Sequence, residues 1–151
     1  MITEDYVSFE TAILLKQRGF DEPIKTFYKL DADNSNEFCE TDVQHSYNDN
    51  RFCIWSNIEI AAPTLALVAK WLREVRDIII ETNMDDYMTT EDGKLKVWYS
   101  YTIWTFIQHF GATGIIDCSY DDRAFWQEGK CNSYEEALEA GIVYCLENLI
   151  E

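Results

Sequence analysis

Two histidines, five cysteines and a large excess of carboxylates are the side chains of this 151-residue chain that could do chemistry. A cysteine thiol beside a histidine would make a nucleophile with its base, and His45 and His109 are the bases on offer. Neither stands near a recognised nucleophile motif around Cys39, Cys53, Cys118, Cys131 or Cys145. Free cysteines mostly behave as small hydrophobes. Their number is odd and no pair has CxxC spacing, which points away from a disulfide framework and from zinc. Free thiols in a reducing, cytoplasmic setting are the expectation. The six glycines are too scattered for a phosphate loop. These readings favour a protein that is not an enzyme and takes no cofactor.

One polar run resembles a calcium loop in part. Asp31, Asp33, Ser35 and Asp42 fall where such a loop places oxygen ligands, and Phe38 takes the apolar place. Asn36 stands where the loop needs glycine, and Asp42 is shorter than the bidentate glutamate. A polar hairpin loop is the simpler reading, so no metal is expected.

Carboxylates dominate the surface chemistry. Acidic residues number 28 against 12 basic ones, a formal charge of -16. Asp31 to Asp42 and Cys131 to the C-terminus hold acids without a base. So does Asp77 to Asp92, with Asp77, Glu81, Asp85, Asp86, Glu91 and Asp92. A phosphate backbone needs Lys and Arg, so direct nucleic-acid binding is not expected. Docking on anionic lipid is disfavoured for the same reason. Such acids can simply keep a protein soluble. They can also steer it to a basic protein, standing where phosphates would stand in a nucleic-acid groove.

Aromatics make up 15% of the chain. Trp98, Tyr99, Tyr101, Trp104 and Phe106 crowd one strand, either as core and cross-strand ladder or as an exposed binding face. In the second case Trp98 and Trp104 are the anchors. A different reading is a small-ligand binder of nucleotide type, with Arg73, Arg76 or Arg123 against an anion.

These residues must be carried by regular elements. Ser8 caps a helix that runs to Gly19, with Phe9, Ala12, Ile13 and Lys16 on one face. Pro63 opens a second, with a stripe of Leu65, Val68, Leu72 and Val75. Ser133 to Glu136 is a capping box that opens a third. Its apolar face runs through Tyr134, Ala137, Leu138, Gly141, Ile142, Cys145, Leu146 and Leu149, and mid-helix Gly141 asks for a close crossing partner. Strands are read at Ile24–Leu30, Glu37–Val43, Arg51–Ser56, Ile78–Thr82, Leu95–Ile103 and Ala112–Tyr120, with a turn at Asp92-Gly93. The segment from Asp121 to Asn132 reads as a loop with Phe125 and Trp126 tucked in. The order α-β-β-β-α-β-β-β-α with short turns predicts one α+β domain over residues 1–151, mainly antiparallel, with helices on one sheet face.

Three blocks carry a resemblance: YVSFETAILLKQRGFDE, APTLALVAKWLREVRDIII and SYEEALEAGIVYCLENLI. Together they resemble a group of small uncharacterised proteins of phages and prophages of gut Bacteroidetes. The resemblance covers the three helices and implies a viral origin and a small accessory role. It implies no activity and carries over no functional residue. The N-terminus has no basic and apolar leader, and no run is long enough to span a membrane. The resulting expectation is a cytoplasmic interaction protein of phage type in a host cell. It would bind a basic, nucleic-acid-binding host protein as an anti-defence inhibitor or nucleic-acid mimic. Any homodimer is expected to strengthen with salt, because like charges oppose it.

Overall fold

The computed structural model describes residues 3–31, 33, 35–48, 58–105, 114–116 and 131–151. Among these the order is α1 (Phe9–Gln17), β1 (Ile24–Leu30), β2 (Asn36–His45), β3 (Ile58–Ala61), α2 (Leu65–Val75), β4 (Ile78–Thr89), β5 (Leu95–Thr105), β6 (Gly114–Ile116) and α3 (Tyr134–Asn148). This is the expected α+β class and order. The strands form two antiparallel sheets, β2-β1-β3 and β4-β5-β6. The chain divides into two compact units, Met1–Leu67 with Leu146–Glu151, and Val68–Cys145. The expected strand at residues 51–56, and Phe106, Phe125 and Trp126, lie outside the described residues.

In the first unit Ser8 caps α1 as its sequence requires: its hydroxyl accepts the Thr11 N–H at 3.3 Å. The helix stops where Arg18 N–H returns to Leu14 O and Gly19 takes φ 82°. Only glycine adopts that conformation without strain. The buried residues are Thr11, Ala12 and Leu15; Ala12 is buried as expected, while Phe9, Ile13 and Lys16 of the same expected face are half-buried. α1 packs against β3, and the Phe9 ring leans edge-on to Tyr28 at 5.4 Å. β1 is central, which is why it holds the buried Ile24 and Thr26. Thr26 donates its hydroxyl to Ala62 O at 2.6 Å. The run after β1 is the predicted hairpin loop, closed by Asp31 N–H to Ser35 O at 3.0 Å.

The second unit is built on the β4–β5 hairpin. α2 leads into it, opening at Leu65 rather than at the expected Pro63, with Thr64 ahead of it: Thr64 Oγ1 accepts the Leu67 N–H at 3.2 Å. Leu65, Val68 and Leu72 are buried as expected, but Val75 is 55% exposed and Trp71 is buried in its stead. Val75 falls in the last helical turn, where the chain is already turning away through Asp77 at φ 55°. β4 continues past the expected Thr82 to Thr89. Thr90, Asp92, Gly93 and Lys94 make the turn, with Gly93 at φ 78°.

α3 lies on one face of this hairpin. Ser133 Oγ accepts the Glu136 N–H at 3.0 Å, and the Glu136 carboxylate accepts from Asn132 N–H at 2.7 Å. The capping box therefore closes one residue earlier than its usual form. Ala137, Leu138, Ile142, Cys145 and Leu146 are buried; Tyr134 is exposed. A Cβ on Gly141 would stand 2.9 Å from Ile80 Cγ2 and 3.2 Å from Tyr101 Cγ. The close crossing partner is thus a strand pair, not a helix.

Gly141→Ala should therefore destabilise the protein by about 1–2 kcal/mol, although alanine favours a helix by about 1 kcal/mol over glycine. Ile80→Ala, which removes Cγ2, should shrink that penalty in a double-mutant cycle read by urea denaturation. Equal penalties in the two backgrounds would mean that the contact does not limit the helix.

Candidate functional site

The two faces of the β4–β5 hairpin follow from its register. Ile80 opposes Ile103, Thr82 opposes Tyr101, Met84 opposes Tyr99, Tyr87 opposes Val97 and Thr89 opposes Leu95. These residues share the face that carries α3. Glu81 opposes Thr102, Asn83 opposes Ser100, Asp86 opposes Trp98 and Met88 opposes Lys96 on the other face. The register shifts between Met84 and Asp86, so Asp85 sits in a bulge.

β6 flanks only the lower end of β5, opposite Ile103 to Thr105, and Cys131 makes a single bridge to Tyr99. Beyond Tyr99 the hairpin has just two strands among the described residues. This outer half is an arm. Met84 and Tyr87 are each 62% exposed, Leu95 is 65% exposed and Met88 48% exposed. Such side chains normally seek burial, and a two-stranded hairpin is only marginally stable alone. A strand expected to end at Thr82 leaves Met84, Tyr87 and Met88 outside any element, whereas Leu95 opens an expected strand.

The acidic residues singled out in the sequence line this hairpin. Glu81, Asp85 and Asp86 lie on β4, Glu91 and Asp92 in its turn, and Asp77 at its root; all are exposed. Among the described residues β4 is an edge strand of its sheet; Glu81 and Asp86 stand on its face away from α3, and Asp85 in the bulge. Acids and tryptophans meet in pairs. Trp104 donates its indole N–H to Glu81 at 3.1 Å, and Trp98 is the cross-strand neighbour of Asp86. Both tryptophans are half-buried, and Lys96 lies 5.0 Å over the Trp98 ring. They are less open than Tyr87 or Leu95.

Two of the acids are held in unfavourable or specialised settings. Asp77 has the left-handed backbone at the C-terminal end of α2. Glycine suits that place better, and a negative charge opposes the helix dipole there. Asp92 accepts a hydrogen bond from Thr90 Oγ1 and pairs with Lys94 at 2.9 Å. The Thr90 hydroxyl foremost, then Lys94, holds its carboxyl below the usual aspartate range.

The other expected residues are dispersed. Arg73 pairs with Glu74 at 3.5 Å, while the Arg76 guanidinium lies 5.2 Å over the Trp71 ring. Arg123 and His109 lie outside the described residues, as do Cys53 and Cys118. Cys39 and His45 stand on β2 opposite Phe27 and Ile24 of β1, about 10 Å apart along that strand, and the Cys39 thiol is directed to Glu37 O at 3.7 Å rather than to His45 as its base. Partial burial, then the Glu37 carboxylate, pushes the Cys39 thiol up, against the thiolate form. Cys131 and Cys145 are buried and free of disulfides. Asp42 lies well along β2, about 20 Å from the loop that holds Asp31 and Asp33. No group of three or more His, Cys, Asp or Glu side chains among the described residues could hold a metal. No helix among them is long and apolar enough to cross a membrane.

No family model, curated protein or solved structure matches the chain.

Asp77→Gly should raise stability by about 0.5–1 kcal/mol, measured as a shift in denaturant midpoint. A loss would show that the Asp77 carboxylate makes a stabilising contact. For Asp92 the depressed folded-state pKa means that its turn interaction is present above the unfolded pKa and fades as pH falls through the folded one. Its carboxyl carbon should titrate below an ordinary aspartate in an NMR pH series, and Thr90→Val should move that midpoint up. An unmoved midpoint would deny the hydroxyl its role.

Proposed function

We propose that this chain is an interaction protein rather than an enzyme, and that it binds a basic protein through the β4–β5 arm. One observation carries the reading: Met84, Tyr87 and Leu95 are exposed on an arm whose other residues include Asp85, Glu91 and Asp92. Apolar side chains supply affinity once water is excluded, and carboxylates choose the partner and speed the encounter. The net charge of -16 repels nucleic acid and favours cationic surfaces.

The partner that fits this chemistry is a protein whose Lys and Arg normally meet phosphates. Carboxylates along the β4 margin would occupy part of that surface and keep nucleic acid off it. The resemblance of the three helices to small phage proteins supports a setting in which such an inhibitor is useful to a virus. In that setting the chain works inside a host cell as an anti-defence inhibitor or nucleic-acid mimic.

The test is capture from a host lysate followed by competition. A basic partner should be retained at ~0.1 M salt and released near ~1 M, where the screening length falls from ~10 Å to ~3 Å. Duplex DNA should compete for it. Asp85→Asn with Asp86→Asn should weaken the complex about tenfold while leaving the thermal midpoint within a few degrees. Capture that is indifferent to salt and to both substitutions would refute the proposal.

A further inference from the structure

We infer that the apolar face of the β4–β5 arm seats a short basic amphipathic helix of another protein, placed end to end with α3. This rests on the proposed basic partner and adds what shape of that partner is received and where.

The face already accepts a helix. α3 lies on the same side of the same two strands, with Gly141 against Ile80 and Tyr101. Its first residue, Tyr134, meets Tyr99 edge-on at 6.4 Å. Beyond that ring pair the face continues through Met84, Tyr87, Val97 and Leu95. From Tyr99 to Leu95 the strand advances about 14 Å, the length of about nine helical residues. A pair of strands about 4.8 Å apart offers roughly the width that one helix covers.

Charge selects the occupant. Asp85 and Glu91 edge the arm, Asp92 beside them being already paired with Lys94, and Glu135 and Glu136 form the first turn of α3 where the arm begins. A helix with apolar residues three and four apart and Lys or Arg beside them meets both requirements. A second copy of this chain would bring carboxylates against carboxylates. Strand addition to the β4 margin is disfavoured by the bulge between Met84 and Asp86, with Asp85 at its centre.

The experiment uses the whole chain, isotope-labelled, and three probe peptides of about 12 residues with equal charge. One has Leu and Lys at helical spacing, one has them alternating, and one is lysine with serine. The helical probe should bind about tenfold more tightly than the others at ~0.1 M salt and shift the amides of Met84, Tyr87, Leu95 and Val97. Leu95→Ser should weaken it about tenfold with an unchanged thermal midpoint, because the residue is already exposed. Tightest binding by the alternating peptide, with β4 amides newly protected, overturns the helix inference and leaves the basic-partner reading standing. Equal binding of all three, indifferent to Leu95→Ser, does the same. Binding by none of them removes both. A dimer in sedimentation that buries Leu95, or nuclear Overhauser contacts from Phe125 or Trp126 to Leu95, assigns the face to this chain itself and also overturns the inference.

Discussion

α3 can lie against the β4–β5 hairpin because residue 141 has no side chain. Ile80 and Tyr101 come so near the helix backbone that any Cβ there would press on them. The contact fixes which side of the hairpin is covered. The capping box at Ser133 then fixes where the cover starts, beside Tyr99. Everything nearer the Thr90–Lys94 turn is left to water among the described residues. The arm thus arises where β4 and β5 run on beyond the start of α3 and beyond the described β6.

Electrostatics and packing divide the labour in this second unit. The acids stand on the exposed edge strand and in the turn, where their hydration costs nothing. Exposed ion pairs such as Lys94–Asp92 add little to stability, about 0–1 kcal/mol. Burial falls instead to Ile78, Ile103, Ala137, Leu138 and Ile142. The charge can therefore be large without unmaking the fold. Asp77 is the exception, since it carries its charge where both backbone and dipole resist it.

Much of the fold was legible where one local rule decided the outcome. Ser8, Gly19, the polar run after Leu30 and the Ser133 box each mark an element end, and the structure has them there. Gly141 even announced a tight crossing. Rules failed where tertiary context decides. The buried side of α1 is shifted toward Thr11 and Leu15, away from Phe9 and Ile13. Val75 lost its place to Trp71 because the helix ends beneath it. At the site, the acids were found by counting charge, but the exposed Met84, Tyr87 and Leu95 were not. Composition treats an apolar residue as buried, and the placement of α3 and β6 among the described residues shows otherwise.

Cys131 and Cys145 acquire a use from their positions. One is the backbone bridge to Tyr99 just ahead of α3, the other lies near the end of that helix, and both thiols are shielded. An alkylating reagent would reach each of them only while the structure around it opens. Their modification rates, compared between the two ends, would time that breathing motion and tell whether it starts from the arm or from the far end, without any label being introduced.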